Sequence, residues 1–386
     1  MSVPSLPAAA IAGAIGIPAA HDNSVQCRPV AVSRPGGEYP AARGESSGGA
    51  MSVPAHSARG LGGASLAAVL RLLRLLRAAG GTLLRWFDTS CDYVQAARDT
   101  LPDRIDWARI LPFVLTHVAC LGAIWAGVSP IALIVAAAAY LVRMFAITGF
   151  YHRYFAHRSF KTSRVGQFIF GLLGASAVQR GPVWWAAHHR FHHANSDKQS
   201  DPHSPIQHGF WRAHMGWFMS IKGFSPDLRF VRDLLKFPEL RWLDRFDILV
   251  PVALGAGMFL LGMLLEHTAP ELRTSGLQML VWGFFISTVL CWHATYTINS
   301  LSHLVGRQRY RTGDTSRNNW FLALLTLGEG WHNNHHYYPN AARQGFYWWE
   351  YDFTYYLLKL LSWLGLIWDL KPVPIAVREN PLRRLR

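Results

Sequence analysis

Four stretches of the chain are apolar for long enough to cross a bilayer. Residues 110–128 carry no Asp, Glu, Lys or Arg. A hydrocarbon core of roughly 30 Å needs about 20 such residues in a helix. Ser129-Pro130 then supplies a tight turn, and 130–149 returns with Arg143 as its one charge. Such a charge either snorkels or serves a site. Two further spans follow at 248–265 and 279–298, joined by a short connection from Glu266 to Gln278. Segments 166–185 and 205–220 are apolar but broken, the first at Gln179-Arg180-Gly181-Pro182. They read as interfacial or re-entrant elements that roof whatever lies above the spans.

Ahead of the spans the pattern changes. Residues 1–60 are rich in Ala, Gly, Pro and Ser, have no apolar period, and read as disordered. Within them Met51-Ser-Val-Pro repeats Met1-Ser-Val-Pro. The repeat marks either a second start or a coincidence of low complexity. In 65–87, Arg71, Arg74 and Arg77 share one side of a helix, with Val69, Leu72, Leu73, Leu75 and Leu76 over much of the rest. That is the pattern of a basic helix lying on a membrane surface, with a core-facing helix as the alternative. The expected organisation is a disordered 1–60, a membrane-surface region 61–108, a main domain 109–371 that holds the spans and a basic tail 372–386.

Composition supports the membrane reading. Of 386 residues 51% are hydrophobic, only 16% are charged, and 16 are Trp, enough for interfacial belts. The net charge of +15 has no nucleic-acid module to go with it. It fits anionic lipid and a cytoplasmic face instead, so membrane lipid is an expected partner and nucleic acid is not. The turn at Ser129 has no Lys or Arg, and the 266–278 connection has only Arg273. Residues 150–247 carry many, and the chain ends Arg383-Arg384-Leu385-Arg386. By the positive-inside rule both termini and the long segment are cytoplasmic. Cys27, Cys91, Cys120 and Cys291 show no paired spacing, so no disulfide framework or Cys metal site is expected.

The chemistry lies in histidine. Of 18 histidines, nine fall in four clusters. Two are His-x-x-His-His triplets: His189, His192 and His193, and His332, His335 and His336. The others are the pair His152 and His157, and the lone His303. Each triplet can share one helix face, and neutral imidazole is the commonest protein metal ligand. The second and fourth spans, continued past the membrane, carry His152, His157, Asn299 and His303 towards the triplets. Nine imidazoles exceed the four ligands of a structural zinc, so two metals sharing them is the natural count. His152 and His157 diverge by about 140° on an ideal α-helix, and so are expected to address different metals. A nitrogen-rich set suits iron, copper, nickel or zinc. Asp197, Asp201, Glu329 and Asp314 are candidates to hold the rings, although Asp314 and Asp197 read better as loop polarity. His188 lies off the ligand face, and His203 reads as a supporting or substrate-side residue.

His152-Arg-Tyr-Phe-Ala-His157, His189-Arg-Phe-His192-His193, Asn299-Ser-Leu-Ser-His303 and Glu329-Gly-Trp-His332-Asn-Asn-His335-His336 resemble the histidine boxes of integral-membrane acyl-CoA desaturases. The resemblance runs from about 110 to 371. It implies an all-α membrane protein: four transmembrane helices and a cytoplasmic helical cap, 150–247 plus 299–371, holding a di-metal site. It implies a di-iron centre, cycling Fe2+ and Fe3+, that uses O2 and two electrons to place a cis double bond, commonly Δ9, in a fatty acyl chain. The nine histidines would then be iron ligands, with Asn299 reaching one iron through a water. Where coenzyme A-binding members have Trp-Ala-Arg-Asp, this chain has Trp185-Ala186-Ala187-His188, so acyl-CoA and acyl-lipid both stand as substrates. No haem-binding domain follows residue 371, so an external electron-transfer protein is expected. Gly149, Gly171, Gly174, Trp184 and Trp185 are candidate walls of an acyl tunnel. The runner-up is a membrane hydroxylase with similar boxes. A metal transporter or sensor would need ionisable residues inside the spans, where only Arg143, His293 and His117 qualify.

Overall fold

The computed structural model describes residues 100–379 together with 71–72, 80–81 and 84–89. Residues 1–60, expected to be disordered, most of 65–87, expected to be an amphipathic helix, Cys27, Cys91 and the last residues of the tail lie outside the described residues.

The four apolar runs are four membrane-spanning helices: Trp107–Ala126, Pro130–Ala156, Leu249–Thr268 and Gly276–His303. The first starts at Asp106, whose carboxylate accepts from Arg109 N. The second starts at Ser129, whose hydroxyl accepts from Ala132 N, with Pro130 at the first helical position. The fourth starts with a capping box between Ser275 and Gln278. The second and fourth are longer than a bilayer requires. Each runs past it, to Ala156 and His303, and each carries a π-helical stretch, Ala146–Ala156 and Met279–Ile286.

The two short connections meet at one end of the bundle. Ser129 Oγ lies 2.7 Å from Thr274 Oγ1, Gln278 Nε2 donates to Ala126 O, and Trp282 Nε1 donates to Gly127 O. The second and fourth spans both leave this end and finish at the other, so His152, His157, Asn299 and His303 share the opposite face. Arg143 neither snorkels nor reaches that face. It is buried between the same two spans, bonded to Thr288 Oγ1 at 2.6 Å, to Ser287 Oγ and to its own Ala139 O.

The rest is a layer of short helices over the histidine end. In chain order they are α1 (Arg164–Ala175), α2 (Pro182–Asn195), α3 (Phe210–His214), α4 (Pro238–Arg245), α5 (Trp320–Leu325), α6 (His332–Tyr337) and α7 (Phe353–Trp363). A two-residue antiparallel pairing, Lys161–Thr162 with Ile367–Trp368, ties the end of the cap to its beginning. The core beneath is aromatic: Phe150 stacks on Phe170 at 3.9 Å, with Tyr151, Tyr154, Phe155 and Phe160 around them. The glycines expected to wall a tunnel serve this packing. A Cβ on Gly174 would lie 1.9 Å from the Tyr151 ring, one on Gly171 2.8 Å from Leu243, and one on Gly149 3.0 Å from Phe145.

Two apolar cap elements escaped the sequence reading. α5 leans on the second span, where Tyr140 Oη donates to Leu325 O at 2.6 Å, and leaves Trp320, Phe321 and Leu324 exposed. α7 exposes Phe353, Tyr356, Leu360 and Trp363. Both are short and interrupted in hydropathy, which hid them from a search for spans.

Candidate metal centre

The nine histidines converge in two groups. His152, His157, His189, His193 and His335 form one, and His192, His303, His332 and His336 the other, with the ligating atoms of each group within 4.8 Å of one another. Each triplet serves both groups. On α2, His189 and His193 are one turn apart and face the five-ring group, while His192 faces the four-ring group. On α6, His332 and His336 face the four-ring group and His335 the other.

His152 and His157 belong together, contrary to the expectation from α-helical spacing. The second span is π-helical from Ala146 to Ala156, and His157 N donates to His152 O at 3.1 Å, a five-residue bond. In that geometry residues five apart are neighbours on one face. Their ring centroids stand 4.9 Å apart.

Carboxylates stand behind the rings. Glu329 Oε2 lies 2.5 Å from His152 Nδ1, Asp201 Oδ2 2.9 Å from His192 Nδ1, Asp197 Oδ2 3.1 Å from His303 Nδ1 and Asp314 Oδ2 2.6 Å from His336 Nδ1. Asp197 and Asp314 are therefore ring partners and not the loop polarity they suggested. Burial alone would raise these carboxyls. For Asp201 the charge of His192, and for Asp197 and Asp314 the hydrogen bonds from His303 and His336, outweigh burial and hold them well below the usual range. Glu329 is likewise net lowered, by His152 and Arg153 against burial. An Nδ1–H given to a carboxylate leaves Nε2 bare and aims it. Those Nε2 atoms point at other imidazoles: His152 at His335, 3.0 Å, and His303 at His332, 3.1 Å. His335 to His193 is 2.9 Å and His157 to His189 is 2.7 Å. At such spacing one ring can donate to the other, or, where both nitrogens are bare, a cation between them removes their repulsion. Separations of about 3 Å suit nitrogens that share one metal at about 2.1 Å each. His336 Nε2 is buried with no hydrogen-bond partner in the protein. Burial, and then neighbouring imidazoles, push His157, His189, His193, His332 and His335 well below the usual histidine value. His336 is pulled down by burial to about 4, although Asp314 opposes this. Those six rings are thus neutral, the ligating form, whereas at His192 burial is outweighed by Asp201, which raises it.

Three further residues do structural work that the sequence did not announce. Asn333 accepts from Arg309 N and Tyr310 N. Asn334 donates to Glu350 Oε2 and Gln344 O and exchanges bonds with Asn318. These two amides pin the six-residue α6 from behind. Arg153, 1% exposed, bonds both Glu329 and Asp352.

A cavity of about 210 Å³ adjoins the centre. Trp184, Trp185, Phe218 and Tyr296 line it, and His188, His189, His203 and Asn299 close its histidine end. His188 belongs to neither group and packs under Trp184 at 4.3 Å. His203 stacks beside His192, ring centroids 4.3 Å apart, and shares Asp201 with it.

Residues 124–362 match the family model described as fatty acid desaturase. An acyl-CoA 5-desaturase of Anemone leveillei is 40% identical over 242 residues, 62% of this chain and 71% of that protein. An sn-1 stearoyl-lipid 9-desaturase of Anabaena variabilis is 36% identical over 282 residues, 71% of this chain and 97% of that protein. A chloroplastic palmitoyl-monogalactosyldiacylglycerol delta-7 desaturase of Arabidopsis thaliana is 38% identical over 228 residues, 58% of each chain.

Proposed function

The chain belongs to the fatty acid desaturase family, and from that premise we propose that it places a cis double bond at Δ9 of a saturated acyl chain, using O2 and two electrons at a di-iron centre. The observation that carries the reading is the set of nine imidazoles, split five and four, beside an aromatic cavity. The Δ9 position leans on the Anabaena relative, whose length is almost wholly matched.

The donor set fits iron. It is all nitrogen, its nitrogens face one another at metal-sharing distances, and one buried Nε2 has no protein partner. His152, His157, His189, His193 and His335 would hold one iron; His192, His303, His332 and His336 would hold the other, with Asn299 reaching it through a water. Bound there, iron supplies the O2 activation needed to remove hydrogen from an unactivated C–H bond. The chain's own groups do the rest. Glu329, Asp201, Asp197 and Asp314 hold the Nδ1 protons and so fix each ring's tautomer and aim. Trp184, Trp185, Phe218 and Tyr296 give a saturated chain the apolar, water-poor walls it needs. Which carbon reacts follows from which one those walls hold beside the centre.

Residues 109–371 form the catalytic domain in this reading, with the histidine face and both termini cytoplasmic by the charge of the connections. Electrons come from a separate protein. Expression in a desaturase-deficient host with fatty-acid profiling tests the proposal: a new monounsaturated acid supports it, and a hydroxy acid replaces it with the hydroxylase reading.

A further inference from the structure

Three histidines outside the centre form a chain of their own. His117, in the middle of the first span, sets Nδ1 2.8 Å from Phe113 O and Nε2 3.1 Å from His293 Nε2, on the fourth span. His293 Nδ1 lies 3.0 Å from His214 Nε2 on α3, and His214 Nδ1 lies 3.0 Å from Ser300 Oγ. A carbonyl only accepts, so Phe113 O orders the line: His117 donates to it, His293 donates to His117, and His214 donates to His293. Both nitrogens of all three rings are used by the protein, so this is no third metal site. Ionisable side chains inside spans are costly and need a reason.

Their place supplies one. Near the short connections the first and fourth spans are close, and a Cβ on Gly122 would lie 3.1 Å from Val281. Towards the histidine face the seam is crossed by side chains: His117 to His293, the one hydrogen bond across it there among the described residues, and Phe113 stacked on Trp292 at 5.0 Å. Phe113, Thr116, Trp292 and Thr295 line the cavity, whereas His117 and His293 do not and are partly exposed. The aromatic pair is an inner lip and the imidazole pair an outer one, over a wedge that narrows towards the connections.

We propose that this seam is a lateral gate through which an acyl chain still esterified in a membrane glycerolipid enters the cavity from the bilayer. The inference rests on the desaturase reading and adds the form in which the substrate arrives. An interhelical imidazole bond is weak enough to break and re-form at each passage. His214 sets the ring of His293 from the cap side, so the outer lip shuts in one register.

The test uses the full chain in phosphatidylcholine nanodiscs carrying a diazirine-labelled stearoyl phosphatidylcholine, with diazirine stearoyl-CoA added from water as the second arm. Cross-links are mapped by mass spectrometry. The lipid probe should label the Phe113–Thr116 and Trp292–Thr295 stretches, and His117→Ala or His293→Ala should speed labelling about 3- to 15-fold. In a background with Cys27, Cys91, Cys120 and Cys291 all changed to Ser, His117→Cys with His293→Cys joined by a short reducible thiol-reactive linker should stop labelling, and reduction should restore it, which separates gating from misfolding. Labelling that persists with the linker closed, or labelling by the CoA probe alone, overturns the gate. Gated labelling with no unsaturated product from either substrate supports the gate and removes the desaturase reading instead.

Discussion

The two histidine groups use the same ring and differ in what stands behind it. Three of the four rings in the smaller group back onto aspartates, Asp201, Asp197 and Asp314. In the five-ring group, among the described residues, His152 alone backs onto a carboxylate, and that carboxylate, Glu329, is shared with Arg153. Carboxylate behind imidazole raises its basicity as a ligand. Two metals in these groups would therefore sit in unequal fields, the four-ring site the more electron-rich. Equal ligand chemistry does not make equal sites; the unevenness is written in the acids and not in the histidines.

The largest effects come from the rings themselves. His→Ala at any of the nine should abolish product and lower bound iron from about two per chain, with membrane insertion intact, by fatty-acid profiling and metal analysis of the purified protein. A variant that keeps full iron and activity removes that ring from the set.

The acids should separate the groups. Asp197→Asn, Asp201→Asn and Asp314→Asn should each weaken one metal about 10- to 100-fold and leave the other in place under limiting iron. Glu329→Gln should act on the other metal and, because Arg153 loses a charged partner, also lower fold stability by about 1.5–3 kcal/mol. Equal loss of both metals from every acid variant would collapse the distinction.

His188→Ala and His203→Ala are weaker probes. His188→Ala should keep full iron and change KM more than kcat, since that side chain lines the cavity and ligates nothing. His203→Ala should give a partial loss, confined to the four-ring metal through His192 and Asp201. The smallest effect concerns Asp244, which accepts from Val183 N and Trp184 N at the start of α2. Burial raises its carboxyl to about 8. The folded chain thus holds this proton where the unfolded chain has lost it, so the contribution falls as pH rises from about 4 to 8. Asp244→Asn should flatten the fall in melting temperature between pH 6.5 and 8.5; an unchanged slope would clear Asp244.

What the sequence made legible follows from range. The spans were readable because hydropathy is local, and all four lie where the apolar runs placed them. The nine histidines were readable as a set because three of their four clusters are short motifs. Their division was not, because it depends on a π-helix that α-helical arithmetic cannot anticipate at His152 and His157. The pairing of Asp197 with His303 spans 106 positions and that of His117 with His293 spans 176, so no window along the chain could join them. Asp314 looked like an ordinary loop acid because its partner lies 22 residues on, in another element.

The eleven-residue π-helix at the end of the second span also divides that helix into two tenants with separate leases. Below Phe145 the outer side of the helix answers to lipid, while Tyr140 and Arg143 tie its inner side to neighbouring elements. Above it, one residue in or out changes which rings meet. The extra residue per turn works as a vernier, setting the angular phase of His152 and His157 independently of the stretch beneath. Apolar substitutions on the outer side of the lower half can accumulate without detuning the centre. Loss of a single residue between Ala146 and Tyr151 would let the turn relax to α-helix and swing His157 away from His152, leaving an inserted, folded and silent protein.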